Sequence, residues 1–218
     1  MYEGILQIPV DKINTKTTFL FQGSDTSTPR RKATLELSGS GTLPLSSDIT
    51  FSTTNNYGKD PNGFGGLRAA SDSNITITST ATITSTGLVT SFQGSKVAAN
   101  ANATLTLPYF SIMSQYPTYI GGEGTVIVPN NIYAAGAYTL IKEDAGIVKM
   151  TTSDKTAAAI YQVDGGKLWV DGNNRIAAGT LVQVNNTGTL QTTVTAGNAI
   201  NVKALTLAAG STVMVGGT

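Results

Sequence analysis

Glu143 and Asp144 are adjacent carboxylates in the stretch "YTLIKEDAGIVKM". Paired carboxylates can cleave a glycosidic bond, but they must face one sugar across several ångströms, usually from separate strands. Neighbours in a tight turn do not meet that geometry. "DGNN" (171–174) and "SDSN" (71–74) carry the oxygen side chains that calcium favours, yet neither continues into the spacing and distal Glu of a calcium loop. Asp, Asn, Ser and Gly are also the turn residues, and these stretches read as turns. "GFGGLR" (63–68) is glycine-rich but lacks the Gly-Lys-Ser/Thr of a phosphate loop and reads as a loop. The chain has no histidine, the commonest general base and transition-metal ligand, and no cysteine for thiolate sites or disulfides. The sequence therefore predicts a protein that is not an enzyme, with no catalytic, cofactor-binding or metal-binding residues.

Trp169 is the only tryptophan. It alternates with Val170 in an apolar run, so one of the two faces inward; a lone tryptophan more often plugs a core or anchors an interface than serves as a sugar platform. Asn74, Asn102 and Asn185 each begin an Asn-X-Thr acceptor pattern. Without an export signal, these are read as chance matches.

Composition narrows the partners. Fourteen basic and 13 acidic residues give a net charge of +1, no footprint for nucleic acid or an anionic membrane. Arg30-Arg31-Lys32 is the one basic run and reads as a solvated loop. The N-terminal stretch lacks the basic, apolar and small-residue parts of a secretory signal, and no run approaches the length of a membrane helix. Taking Met1 as the start, the expected place of synthesis is a cytoplasm.

The elements that must position these residues are almost all β. Charged residues are only 12% of the chain, Thr and Val favour strands, and 24 glycines favour turns. Residues 1–33 read as an extended arm with two short apolar runs, "ILQIPV" and "TFLF". Residues 34–124 read as a Ser/Thr-rich β-domain. In it, "NITITSTATITSTGLVTS" alternates strictly through Ile75, Ile77, Ala81 and Ile83. Residues 55–74 read as a long surface loop. Residues 125–218 show short alternating runs around Glu143–Gly146, Asp164-Gly165-Gly166 and Asn185–Gly188, which read as hairpin turns. The best helix candidates are "TSDKTAAAI" (152–160) and "VAANANA" (97–103). Ala-Ala-Gly precedes an apolar strand three times, with glycines at 136, 179 and 210. Each of Gly136, Gly179 and Gly210 is expected at the start of a strand, where a turn or bulge can demand φ > 0. The copies lie 43 and 31 residues apart, unequal steps that argue against a regular solenoid. The expected fold is all-β, with a small antiparallel barrel at the C-terminus.

On these residues the C-terminal third resembles the small barrel of tailed-phage capsid decoration, or cement, proteins. The matching positions are Ile176, Gly179, Val182 and Val184, then Gly188 and Leu190, then Ala199, Ile200, Val202 and Ala204, and finally Gly210, Val213 and Val215. Asn201 stands where the family often has glycine. The resemblance implies a virion structural protein on the capsid exterior, bracing major capsid subunits as a homotrimer, without nucleic acid, membrane or cofactor. Ile5, Leu6, Ile8, Phe19, Leu20, Phe21, Arg30 and Arg31 of the arm would then be capsid or subunit contacts. The alternative is a carbohydrate-facing β-solenoid, such as a tailspike, adhesin or autotransporter passenger segment. The Ile-Thr alternation suits its rungs, whereas the unequal spacing and the Asp-Gly hairpin signal count against it. A polysaccharide-cleaving enzyme is a third, weaker reading.

Overall fold

The computed structural model describes residues 4–14, 19–23, 33–45, 49–53, 66–79, 96–107, 110–112, 117–129, 132–134, 139–151, 160–173, 175–195 and 200–217. The chain winds in successive coils. The first holds β1 (Gly4–Pro9), a 3-10 turn at Val10–Lys12 and β2 (Phe19–Gly23). The second holds β3 (Ala33–Ser38), β4 (Ser40–Leu45) and β5 (Ile49–Thr53), and the third β6 (Gly66–Ala69) and β7 (Asn74–Ser79). Next come β8 (Lys96–Ala99), β9 (Thr104–Thr106) and β10 (Phe110–Ile112), then β11 (Thr118–Gly122), β12 (Thr125–Val128) and β13 (Ile132–Ala134). The last four coils are strand pairs: β14 (Thr139–Lys142) with β15 (Ile147–Met150), β16 (Ile160–Val163) with β17 (Lys167–Asp171), β18 (Leu181–Val184) with β19 (Thr189–Val194), and β20 (Ala204–Leu207) with β21 (Thr212–Gly217).

The first strand of every coil joins a nine-stranded sheet running from β1 to β20, and the second strand of every coil after the first joins an eight-stranded sheet running from β4 to β21. Two short pairs, β2 with β5 and β10 with β13, lie outside these sheets. Every pairing described is parallel. The protein is a two-sheet parallel β-solenoid.

The alternating sequence builds its core. Parallel stacking in register places equivalent residues above one another, so one apolar position per strand becomes a continuous inward row. In the first sheet that row runs Leu35, Leu67, Val97, Ile120, Lys142, Val163 and Val184. The facing row of the second sheet runs Ile75, Leu105, Val126, Val148, Leu168 and Leu190. All of these residues are buried, and all but Lys142 belong to one hydrophobic core spanning Val10 to Leu190.

The two sheets are joined by short corners at 39, 70–73, 100–103, 123–124, 143–146, 164–166, 185–188 and 208–211. The corners stack as closely as the strands do. The first second-sheet residue of each coil donates its amide to the last corner residue of the coil before it: Thr104 to Ser73, Thr125 to Ala103, Ile147 to Gly124, Lys167 to Gly146, Thr189 to Gly166 and Thr212 to Gly188. That position is held by small residues throughout. At Gly146 an added methyl group would overlap the Gly124 and Gly122 carbonyl oxygens.

These features overturn the antiparallel barrel. Glu143–Gly146, Asp164–Gly166 and Asn185–Gly188 do turn the chain, but they carry it across to the opposite sheet rather than back along the same one. The unequal glycine spacing follows from the coils. Thr139 pairs with Ile160 and Ile160 with Leu181, a step of 21 residues each time, so 43 residues is close to two turns. Gly179 precedes β18 in the first sheet whereas Gly210 precedes β21 in the second, so 31 residues is one turn plus a corner. Gly210 has φ +84°, while Gly179 is not among the glycines with positive φ, and Gly136 lies outside the described residues. "VAANANA" is β8 plus its corner rather than a helix, and 152–159 lie outside the described residues. Among the described residues no helix is long and apolar enough to cross a membrane.

The corner stack makes a testable distinction between two glycines. Gly146→Ala should lower stability by about 3 kcal/mol, because backbone on the neighbouring coil must move. Gly179→Ala, in an exposed turn, should stay within about 0.5 kcal/mol of the parent. Urea unfolding midpoints measure both, and equal midpoints would remove the close-packed corner from this account.

Candidate functional site

Two charged groupings stand out on this frame. The first lies at the corner after β14. Lys142 interrupts the aliphatic row of the first sheet, with only 1% of its surface exposed. Its ammonium donates to the carbonyl oxygens of Glu143 (2.7 Å), Asp144 (2.8 Å) and, from the next coil, Gly165 (2.9 Å). Lys96, from two coils earlier, reaches the same corner and pairs with Glu143 Oε1 at 2.7 Å and Asp144 Oδ2 at 2.5 Å. The Gly122 amide also donates to Asp144 Oδ2, at 2.9 Å.

Burial pulls the Lys142 pKa from its ordinary 10.5 down to about 8; Asp144 resists that shift, Lys96 adds to it, and Glu143 resists it. Burial pushes the Asp144 carboxyl up, but the hydrogen bond and charge of Lys96, the Gly122 amide and Lys142 together hold it below the ordinary 3.8. Glu143 and Asp144 thus neutralise a lysine and tie neighbouring coils together. Both carboxylates are engaged with the same Lys96 ammonium.

The second grouping lies on the outer face of the second sheet. Leu168 and Val170 point inward and are buried, so Trp169 points out and is half-buried. In register beside it are Lys149 on the preceding coil and Gln191 on the following one. The Lys149 ammonium sits 3.9 Å from the centre of the Trp169 ring and 2.9 Å from Asp171 Oδ2. The indole N–H donates to Thr193 Oγ1 at 2.9 Å. Three coils therefore fix one aromatic ring. Toward the N-terminus the same outward row continues as Ile127, Thr106, Thr76 and Thr42, and the row beside it as Thr125, Thr104, Asn74 and Ser40. This face offers hydroxyl and amide groups at the spacing of parallel strands, roughly 4.8 Å.

The other residues singled out in the sequence are accounted for individually. Asp72 of "SDSN" accepts from Asn102 Nδ2 at 3.0 Å, and Ser73 Oγ accepts from the Gly39 amide at 3.1 Å. Asn185 donates to Asp164 Oδ1 at 2.7 Å, so Asn102 and Asn185 both link one corner to the next. In "DGNN", the Asp171 carbonyl accepts from Arg175 Nε at 3.0 Å, and Asn173 Oδ1 accepts from the Thr195 amide at 3.1 Å. Among the described residues no group of three or more acidic side chains could hold a metal ion. Leu6 and Ile8 of β1 pack against the common core, while Ile5 is exposed. Phe19, Leu20 and Phe21 form β2, and Arg30, Arg31 and residues 54–65 lie outside the described residues. Gln7, Glu36 and Arg68, which the sequence reading passed over, form a polar ladder on the outer face of the first sheet, with both Gln7 Nε2 and Arg68 Nε donating to the Glu36 carboxylate. Only register reveals that ladder, because the three residues lie on different coils.

No family model, no curated protein and no solved structure matches this chain.

Lys142 gives a pH signature. Its folded pKa lies below its unfolded value, so between about pH 8 and pH 10.5 the unfolded chain binds more protons and stability rises with pH. Relative to Lys142→Met, the parent protein should gain about 2–3 kcal/mol between pH 7 and pH 10. Denaturant titrations of both proteins at the two pH values measure this. A difference that does not change with pH would mean that the ammonium is not held in a dry corner.

Proposed function

We propose that the protein is a glycan-facing β-solenoid, a rigid segment of the tailspike, adhesin or autotransporter-passenger kind, and that it binds without catalysing a reaction. The observation that carries this reading is the outer face of the second sheet, where Trp169 is pinned by Lys149 and Thr193 and where, beyond Lys149 and Ile127, the face runs on into a ladder of Thr and Asn side chains. Hydroxyl and amide side chains at the strand repeat suit a polyhydroxylated chain lying across several coils. A ring already ordered by its neighbours loses little conformational freedom on binding. The adjacent carboxylates are engaged with Lys96, which leaves them poorly suited to act as acid and base. Capsid decoration, together with a major-capsid partner and a trimer, rested on the barrel, and nothing in the solenoid geometry favours it.

Trp169 is its own reporter, since no other tryptophan contributes to the emission. Titrating the protein with a panel of neutral and acidic polysaccharides should change that emission saturably for at least one of them. Trp169→Phe should weaken the same binding, measured by calorimetry, by about tenfold, on the order of 1.4 kcal/mol. A panel that produces neither emission change nor heat would sink the glycan reading.

A further inference from the structure

Charge on the outer face of the second sheet gathers in one place. The outward positions of β4, β7, β9 and β12 hold Ser, Thr, Asn, Pro and Ile, and those of β19 and β21 carry no charge either. Among all the described outward positions of this sheet, the charged residues are Lys149, Lys167 and Asp171, and they surround Trp169. Lys149 and Asp171 pair with each other at 2.9 Å. Arg175 Nε donates to the Asp171 carbonyl at 3.0 Å, which holds a guanidinium at the end of the same strand. Three cations thus stand around one carboxylate, in a chain whose net charge is only +1.

Lys167 is the cation left over. It lies two residues before Trp169 on the same face of β17, roughly 7 Å along the strand. Its register neighbours, Ile147 and Thr189, bear no charge. Asp164, three residues earlier, is taken up by Gln162 Nε2 at 2.8 Å and Asn185 Nδ2 at 2.7 Å. Asp144, at the corner of the preceding coil, is held by Lys96. Among the described residues Lys167 forms no ion pair, although its side chain is half-buried on the sheet. It therefore has an aromatic ring on its own face and no carboxylate to balance it.

We infer that the glycan taken by this face is anionic, with a carboxylate or sulfate on Lys167 while the neighbouring sugar packs against Trp169. The inference rests on the glycan-binding reading and adds the class of polysaccharide to it. The excess of positive charge around the ring draws a polyanion toward it. An ammonium is a flexible point charge and takes either kind of acid group, whereas the ring, already ordered by its neighbours, sets where the sugar lies. The uncharged Ser, Thr and Asn ladder beyond Ile127 then meets hydroxyl groups of the same polymer. Lys167 is partly open to water, so its contact is that of a surface ion pair and favours the charged polymer by about fivefold.

Calorimetry of the full chain with two matched pairs tests this: polygalacturonate against its carboxyl-reduced, neutral counterpart, and dextran sulfate against dextran. The first pair reads carboxylate and the second sulfate. Circular dichroism confirms that each variant is folded. The expected result is that at least one charged polymer binds about fivefold more tightly than its neutral partner. Lys167→Gln should remove most of that preference and Lys167→Arg should keep it. Lys203→Gln removes the same charge from an exposed residue beside the first sheet, where its amide pairs with Thr180, and should leave the preference unchanged. Equal affinity within both pairs overturns the inference. So does a preference that survives Lys167→Gln, or one that falls as far with Lys203→Gln. Binding of neutral polysaccharides alone overturns the inference but leaves the glycan reading standing, whereas binding of no polysaccharide ends both.

Discussion

The tightest constraint on this molecule is the corner column at which one coil's backbone lies against the next. Gly39, Ser73, Ala103, Gly124, Gly146, Gly166 and Gly188 occupy equivalent places there, and each accepts an amide hydrogen bond from the following coil. A larger residue at Gly146 would drive the neighbouring carbonyls apart. Holding the corners together fixes the start of each second-sheet strand, and therefore its register. Register in turn decides which residues face inward, because a slip of one residue would expose Leu105, Val126, Val148 and Leu168 together. Each such side chain gives about 1.5–3 kcal/mol on burial, so the corner geometry and the core support one another.

Lys142 shows how much a single coil can depart from this rule. It sits where the other coils place Leu, Ile or Val, and burying an ammonium is costly unless it is fully hydrogen-bonded. Here three corner carbonyls receive it, while Lys96 bridges the two carboxylates next to it. The arrangement binds the corners of successive coils to each other by charge as well as by backbone. It also accounts for the structural role of Glu143 and Asp144. Their partners come from neighbouring coils, and only the stacking of those coils brings them together. On the outer face the same stacking brings together Lys149, Trp169, Asp171 and Thr193 from three different coils.

The sequence disclosed strands and turns but not how they combine. The alternation through Ile75 and Ile77, and again through Val182 and Val184, correctly marks one buried face. It is silent on whether the partner strand runs parallel or antiparallel, since both ladders share the same two-residue period. Asp164-Gly165-Gly166 is rightly a turn, but turn residues do not say whether the chain returns along its own sheet or crosses to the facing one. The repeat was hidden for a related reason. Register partners are 29, 32 and 30 residues apart in the first three steps (Gly4 with Ala33, Thr34 with Gly66, Gly66 with Lys96) and 21 to 23 thereafter, because the return segment from second sheet to first varies in length. The small-residue column was present in the sequence, at the residue just before each second-sheet strand, but it becomes visible only once the coils are aligned. Trp169 could be assigned only to one face or the other until Leu168 and Val170 were seen to point inward.

Distance measurements between spin labels along one outward row test the parallel stack most directly. The chain has no cysteine, so paired cysteines introduced at Thr104 and Thr189, or at Thr104 and Thr212, can be labelled without background. These pairs lie four and five strand steps apart in the second sheet. The expected result is two narrow distributions, near about 19 Å and about 24 Å, differing by one strand spacing. Distances that do not lengthen by one spacing from the first pair to the second, or a broad distribution for either pair, would contradict the solenoid.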